Sequence, residues 1–232
     1  MNTKNKIGIL GGMGPEALSD MYLAICKYYQ DHFGAKYDKD FPPMIMYSVP
    51  IPDVVESLEN EQEILKELIN TAKILEEDGC DFIVIACNSV QFLLNDIKAQ
   101  ITIPIIGIAE TVAKDIKQIG YKKVGILSTQ TTINKKVYDE EMNKIGIELL
   151  APSAEQQGIV TEVIMNQLSG KATSKDTQKL VQVVDSLTQK DAGAVLIACT
   201  DLPFVIKQSD VDIPLVNCTY IYANEAARLS AS

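Results

Sequence analysis

Several residue types are scarce in this chain of 232 residues, and each scarcity excludes a class of site. Tryptophan is absent and the only histidine is His32, so neither a histidine-based metal centre nor a Cys–His dyad is expected. A single arginine, Arg228, stands near the C-terminus, so a guanidinium clamp on a carboxylate has only one source. No apolar run approaches the roughly 18 residues of a membrane-spanning helix.

The charge balance and the cysteine pattern narrow the possibilities further. Thirty-one acidic and 21 basic residues give a net charge of −10, which repels phosphate backbones and anionic lipid, so neither nucleic acid nor a membrane is an expected partner. The 5 cysteines contain no CxxC pair, so neither a disulfide framework nor a metal site is predicted. The N-terminus lacks the apolar stretch of a signal peptide, and we therefore expect a cytoplasmic protein.

The remaining composition is that of a globular domain, with 47% hydrophobic residues. Short apolar runs alternate with longer segments of helical period, which predicts an α/β fold with parallel sheets covered on both faces. The predicted strands are 6–11, 44–49, 82–86, 105–107, 124–128, 147–150, 194–198 and 215–217. The predicted helices are 16–32, 59–78, 90–100, 109–119, 134–145, 154–168, 174–189 and 219–230.

An internal repeat indicates two domains of one design. The segment KIGIL at Lys6–Leu10 matches KVGIL at Lys123–Leu127, and FIVIAC at Phe82–Cys87 matches AVLIAC at Ala194–Cys199, in the same order along the chain. We therefore predict two pseudo-symmetric α/β domains that face each other across a cleft. The predicted boundaries are 1–105 for the first domain, with helix 216–232 packed back on it, and 106–215 for the second.

Cys87 and Cys199 stand at equivalent points of this repeat, each directly after an apolar strand. Ligands of open parallel sheets bind beyond the carboxyl ends of the strands. A helix N-terminus lowers the pKa of a nearby thiol, and two thiols on opposite sides of a small substrate suit two-base proton transfer, which inverts a stereocentre. Burial of both as inert core residues is the alternative. Their equivalence in the repeat favours the catalytic interpretation.

Two polar loops accompany the cysteines. The segment Gly11–Pro15 follows the first strand, and its glycines let backbone amides approach an anion. It fits neither nucleotide-binding spacing, so a nucleotide loop is the weaker interpretation. Thr129 occupies the equivalent place in the second half and is predicted either to bind substrate or to cap a helix. Ser48, at the end of the second strand, is a further candidate for substrate binding.

Four blocks resemble the cofactor-independent aspartate/glutamate racemases, most closely the aspartate racemase branch. They are IGILGGMGPEA at Ile7–Ala17, DFIVIACNS at Asp81–Ser89, VGILST at Val124–Thr129 and IACTDLP at Ile197–Pro203. The resemblance implies an isomerase of amino-acid metabolism without a cofactor, commonly a homodimer, with Cys87 and Cys199 as opposed acid and base. It also implies that the substrate site contains Gly12, Met13, Asn88, Ser89 and Thr200.

Three positions depart from the family pattern. Typical aspartate racemases carry an arginine where this chain has Val54, a histidine at Gln91 and an aspartate at Asn217. Lys171, in a predicted turn of the second domain, is a candidate for the missing positive charge, although an exposed loop lysine is an equally good interpretation.

The leading hypothesis is therefore an amino-acid racemase that interconverts the L and D forms, with aspartate as the expected substrate. Glutamate or another amino acid is the first alternative. A ligand-binding protein without turnover and a thiol redox sensor are hypotheses from other classes, the latter because two thiols facing one cleft form a disulfide if they come close enough.

Overall fold

A computed structural model describes residues 4–56 and 58–232. The first sheet consists of parallel strands in the order β2-β1-β3: β1 is Ile7–Gly11, β2 is Met44–Ser48 and β3 is Phe82–Ile85. Helices α1 (Pro15–Phe33) and α2 (Glu61–Glu77) connect these strands. Beyond β3 the chain forms a 3₁₀ turn, the short helix α3 (Leu94–Lys98) and the longer helix α4 (Ile108–Ile119).

The second sheet repeats this arrangement with the parallel order β5-β4-β6-β7. Its strands are β4 (Lys123–Leu127), β5 (Glu148–Leu150), β6 (Ala194–Ile197) and β7 (Leu215–Asn217). The intervening helices are α5 (Gln130–Asn134), α6 (Asp139–Lys144), α7 (Ala154–Leu168) and α8 (Ser174–Thr188), and α9 (Cys218–Ser230) ends the chain. The predicted pair of α/β domains with parallel sheets is confirmed.

Helix α1 shows how the local sequence positions the loop before it. Pro15 begins the helix, where its missing N–H needs no partner, and Glu16 adds a negative charge to the first turn. Buried residues recur at helical spacing from Ala17 to Tyr29, so one face packs against β1. Gly34 ends the helix in the left-handed conformation. The glycine-rich segment is thereby held between a buried strand and a fixed helix.

Most predicted elements agree with the structure to within one or two residues at their ends, the usual uncertainty of such boundaries. Three differ. The predicted helix 90–100 is a 3₁₀ turn followed by α3. The predicted helix 134–145 is helical only at its first residue, Asn134, which ends α5, and in α6. Between those two helices Lys136 has a φ of 52°, which a continuous right-handed helix excludes. In the predicted strand 105–107 only Ile105 pairs, in parallel with Ile83.

Three hydrophobic clusters hold these layers together. One cluster lies between the sheets and combines residues of β1, β3, β4 and β6 with α1, α4 and α9. The other two fill the outer sides, beneath α2 and α3 in the first half and beneath α7 and α8 in the second. The two domains therefore share a buried layer, which restricts how they move relative to each other.

The C-terminal helix α9 packs against α1 and is hydrogen-bonded to the first half of the chain. Tyr29 Oη and Ser230 Oγ share a hydrogen bond of 2.5 Å. Tyr222 Oη accepts from the backbone N–H of Ile85 at 3.1 Å and donates to the carbonyl of Ile106. These contacts fit the expected return of this helix, while the boundaries 1–105 and 106–215 stay predictions. Among the described residues, no helix has both the length and the hydropathy to cross a membrane.

Candidate active site

The two strand-end cysteines occupy equivalent positions in the two sheets. Each follows an alanine whose backbone N–H donates, at 2.8 Å, to a leucine carbonyl of the central strand. The pairs are Ala86 with Leu10 and Ala198 with Leu127. Equivalent hydrogen bonds thus fix the turn that carries Cys87 and the turn that carries Cys199. The repeat in the sequence is also a repeat in geometry.

Both cysteines line one cavity of about 220 Å³ to which both halves of the chain contribute. This volume is below the roughly 300–1,000 Å³ of pockets for drug-sized ligands, and it suits a small metabolite. The first half contributes Gly12–Pro15, Ile51–Val55 and Cys87–Ser89, and the second contributes Thr129, Leu168 and Cys199–Asp201. Each sheet therefore delivers one thiol to a shared cavity.

Burial dominates the electrostatics of the two thiols. Cys87 is 3% exposed and Cys199 is 4% exposed. Loss of solvation raises the pKa of Cys87 to about 12 and raises the pKa of Cys199 well above its ordinary value. The carboxylate of Asp201 raises the pKa of both thiols further, because a second negative charge nearby is unfavourable. None of the described residues places a cation beside the two thiols, so both are protonated at neutral pH.

Backbone amides partly oppose these effects in each turn. The N–H groups of Ser89 and Val90 point at the sulfur of Cys87 and lower its pKa, and the N–H of Asp201 acts in the same way on Cys199. Hydrogen bonds to the charged form of a group stabilise that form. Each turn is therefore built to accept a thiolate once another charge compensates for burial.

In the loop that precedes α1, glycine is required at Gly12 and allows close packing at Gly14. Gly12 has a φ of +96°, and a Cβ atom there would lie 2.6 Å from the backbone nitrogen of Val49. A Cβ atom on Gly14 would lie 2.7 Å from Leu168 Cδ2 and 3.2 Å from Asp201 Oδ1. The absence of side chains at Gly12 and Gly14 thus lets the first domain approach both its own second strand and the opposite domain.

Six of the predicted substrate-binding residues line the cavity together with the two cysteines. They are Gly12, Met13, Asn88, Ser89, Thr129 and Thr200. The structure does not bring the other two to the cavity wall. Ser48 is exposed, with its Oγ against the position a Cβ of Gly12 would occupy, and Lys171 is exposed in the turn between α7 and α8. A binding role for Ser48 or Lys171 stays a prediction without support from the geometry.

A buried hydrogen-bond network orients the polar residues beside Cys87. Tyr138 Oη donates to Asn88 Oδ1, while Asn88 Nδ2 donates to Cys218 Sγ at 3.4 Å. Ser89 and Thr129 share a hydrogen bond of 2.8 Å between their hydroxyl groups, which joins the two domains at the cavity. Thr129 also caps α5 by accepting from the N–H of Thr132. Thr129 therefore caps a helix and also lines the cavity, while its binding of substrate stays a prediction.

The three departures from the family pattern separate into one cavity residue and two structural ones. Val54 lines the cavity. Gln91 lies behind it, where its amide nitrogen donates to the carbonyls of Ile85 and Cys87 at 3.2 and 3.3 Å. Asn217 caps α9 by accepting from the N–H of Thr219 at 2.9 Å. Gln91 and Asn217 thus hold backbone in place, and only Val54 alters the cavity wall.

Sequence reasoning did not select two carboxylates and several apolar residues of the cavity wall. Asp201 and Asp53 both line it, as does Leu168 at the end of α7. The position of Asp201, two residues after Cys199, was a signal for it, whereas nothing in the sequence marked Leu168. No group of three or more His, Cys, Asp or Glu side chains within residues 4–56 and 58–232 has the arrangement of a metal site.

Comparison with known proteins finds relatives along nearly the whole chain. The family model described as Asp/Glu/Hydantoin racemase matches residues 10–226. The chain belongs to this family. The broad specificity amino-acid racemase RacX of Bacillus subtilis is 30% identical over 211 residues, which are 91% of this chain and 92% of that protein.

Solved structures of racemases have the same fold as this chain. The aspartate racemase of Picrophilus torridus has a TM-score of 0.86 at 25% identity and covers 98% of this chain and 94% of its own. An aspartate racemase homologue from Pyrococcus horikoshii has a TM-score of 0.82 at 28% identity, with coverages of 98% and 100%. The expected family is confirmed, and the protein is an isomerase that acts on an amino acid.

Proposed function

We propose that this racemase inverts the α-carbon of a free amino acid by proton transfer between Cys87 and Cys199, without a cofactor. One observation carries the proposal: each of the two sheets delivers one cysteine, at the same point of its turn, to a single cavity. A core residue needs no such equivalence. Two thiols in one small cavity match what inversion requires, which is a base on one face of the α-carbon and an acid on the other.

The proposed reaction has two proton transfers. The thiolate of one cysteine removes the α-proton and becomes a thiol, and the electron pair of the broken C–H bond is delocalised into the adjacent carboxylate. The thiol of the other cysteine then protonates the opposite face and becomes a thiolate. Protons balance, and the enzyme ends with the two sulfurs in exchanged states, ready for the opposite enantiomer.

Formation of the thiolate is coupled to substrate binding in this proposal. Burial raises the pKa of Cys87 to about 12, so the protein alone holds few thiolates at pH 7. An amino acid brings an ammonium group, and a positive charge within about 4–6 Å of a thiol favours its ionised form. The backbone amides at each turn add to this effect. The substrate thereby helps to create the base that attacks it.

The polar part of the cavity supports binding of the substrate's own amino and carboxyl groups. The N-terminus of α1 has no capping side chain, and the loop before it, Gly12–Gly14, lines the cavity. The partial positive charge of a helix N-terminus favours a carboxylate. The hydroxyl groups of Ser89, Thr129 and Thr200 add hydrogen-bonding positions in the same cavity. We assign the α-carboxylate to this polar end.

The side chain of the substrate is a separate question. Similarity to a named aspartate racemase favours aspartate, while similarity to a broad-specificity racemase favours a wider range. Aspartate therefore remains the expectation from resemblance, and the charges of the cavity bear on it below. The homodimer and the cytoplasmic location also stay predictions, and light scattering of purified protein tests the dimer.

The direct test is exchange of the α-proton in heavy water. Purified protein is incubated, without added cofactor, with a panel of L-amino acids, and deuterium incorporation and optical rotation are followed. We expect both to change for at least one amino acid. Binding without exchange would instead identify a ligand-binding protein, and a reversible Cys87–Cys199 disulfide without exchange would identify a redox sensor.

Substitution of single cysteines tests the assignment of roles. We expect Cys87→Ser and Cys199→Ser each to reduce racemisation by about 10²–10⁴-fold, the usual contribution of a positioned acid or base. Cys26→Ser is the matched control, because Cys26 lies in α1 and does not line the cavity. Full activity in either cavity variant would refute the two-thiol mechanism.

A further inference from the structure

The charged side chains that line the candidate active site are all negative among the described residues. Among the described residues that line the cavity, none is lysine, arginine or histidine, whereas Asp53 and Asp201 are both present. The wall also contains apolar residues, among them Ile51, Val54 and Leu168. A substrate that carries a second carboxylate would place it in a cavity that has negative but no positive side chains.

Of these two carboxylates, Asp201 is the one that contacts a candidate catalytic cysteine. Its Oδ2 accepts from Cys199 Sγ at 3.8 Å, and its Oδ1 lies 3.2 Å from the position that a Cβ of Gly14 would take. It thus reaches from the second domain to the start of α1 in the first. Burial raises the pKa of Asp201 to about 6, so the carboxyl group is mostly ionised at pH 7. Its negative charge is therefore present during turnover.

Neighbouring groups do not neutralise this charge. The carboxylate of Glu16 adds a negative charge that raises the pKa of Asp201, and it accepts from Gln167 Nε2 at 2.6 Å. Lys171 is exposed and does not line the cavity, and Lys135 pairs with Glu61 at 2.7 Å. The N-terminus of α1 carries roughly half a positive charge, which only partly offsets the α-carboxylate that every amino acid carries.

We propose that the cavity accepts amino acids whose side chain carries no negative charge, and that Asp201 is the residue that excludes acidic side chains. This inference rests on the proposed function, since it concerns the substrate of the same two cysteines. The physical reason is that two like charges in a buried site repel each other strongly, and no cation of the wall compensates.

Isosteric substrate pairs provide the test. Glutamine and glutamate, and likewise asparagine and aspartate, have nearly the same shape and differ in charge, so their kcat/KM ratio reports chiefly the charge preference. For α-proton exchange at pH 7.5 we expect the neutral member of at least one pair to exceed the acidic member by about tenfold or more. Equal rates, or faster exchange of aspartate or glutamate, would overturn the inference while leaving the racemase mechanism intact.

The variant Asp201→Asn identifies the responsible residue. We expect it to lower the neutral-to-acidic ratio by about tenfold, whereas the control Asp185→Asn, which removes an exposed carboxylate of α8, leaves the ratio unchanged. An unchanged ratio in Asp201→Asn would refute the assignment to Asp201. If that variant is too slow to assay, ligand-induced thermal shifts with glutamine and glutamate measure the same discrimination without turnover.

Absence of exchange with every amino acid tested would mean that the proposed function fails, not the charge argument. The two failures are therefore distinguishable. Binding of glutamine in preference to glutamate by such an inactive protein would still support the exclusion of acidic side chains, and the reverse preference would overturn it.

Discussion

Replacement of Asp201 by asparagine should stabilise this protein at neutral pH. The carboxyl group is buried, and its pKa rises from 3.8 to about 6 in the fold. A group whose pKa is raised on folding contributes stability below its ordinary pKa and loses that contribution as the pH rises through the value in the fold. The folded protein is thus penalised by this carboxylate above about pH 6, and asparagine removes the penalty.

The magnitude follows from the two pKa values. Each tenfold change in proton affinity corresponds to about 1.4 kcal/mol, so the change from 3.8 to about 6 amounts to about 3 kcal/mol. At 2–4 °C per kcal/mol for a chain of this size, Asp201→Asn raises Tm by up to about 6–12 °C at pH 8. The gain falls to about 1 kcal/mol at pH 4.5 and disappears below about pH 3, where the native carboxyl group is protonated in both the folded and the unfolded state.

Calorimetry of the native protein, Asp201→Asn and Asp185→Asn at pH 8 and pH 4.5 measures this effect. The gain should be specific to Asp201, large at pH 8 and small at pH 4.5. An Asp201→Asn variant that melts at or below the native temperature at pH 8, or one whose gain is independent of pH, would refute the reasoning. A confirmed gain would mean that the carboxylate is kept for function at the expense of stability.

Three further predictions concern the loop, the last helix and the thiols. In urea unfolding, Gly12→Ala should destabilise the protein by about 2 kcal/mol more than Gly34→Ala does. Both glycines have positive φ, but only Gly12 faces the backbone of Val49. Equal losses of stability in the two variants would contradict this contact. Asn217→Ala should lower the free energy of unfolding by about 0.5–2 kcal/mol, because α9 loses its cap, while kcat/KM changes less than about twofold. A large loss of activity without destabilisation would show that Asn217 acts on the substrate. Alkylation of Cys87 by iodoacetamide, followed by mass spectrometry, should rise about tenfold per pH unit between pH 7 and 9, and a plateau below pH 8 would show that its pKa is not raised.

The balance of charges in the cavity explains why a departure at a single position matters. Val54 lines the wall where the family pattern places an arginine, and none of the described residues of the wall is basic. If the proposed charge selection holds, the carboxylates of the wall determine which side chains bind. We therefore expect a hydrophobic residue at this position to change which charge the cavity accepts as well as its shape.

Much of the fold was predictable because its signals are local. Apolar strands such as Phe82–Ile85, a proline at the start of α1 and the repeated KxGIL and IAC segments depend on neighbouring residues, and the structure has them where the pattern indicates. The late start of the predicted helix 134–145, at Asp139, was not predictable, since it depends on the backbone conformation of Lys136, which composition does not reveal.

The site was predictable only in part. Equivalence in the repeat was enough to select Cys87 and Cys199, because parallel strands bring their carboxyl ends to one edge of a sheet. The sequence alone gave no means to separate Val54, which faces the cavity, from Gln91 and Asn217, which hold backbone behind it. Side-chain direction depends on packing between elements that are distant in the chain.

The amino-acid sequence by itself thus determined the two-domain α/β design and the pair of thiols, since periodicity and repetition are properties of the chain. Only the tertiary structure decided the character of the cavity. It placed Asp201 between the two domains and left Lys171 outside the wall, because electrostatic selection depends on distances in space that no spacing along the chain encodes.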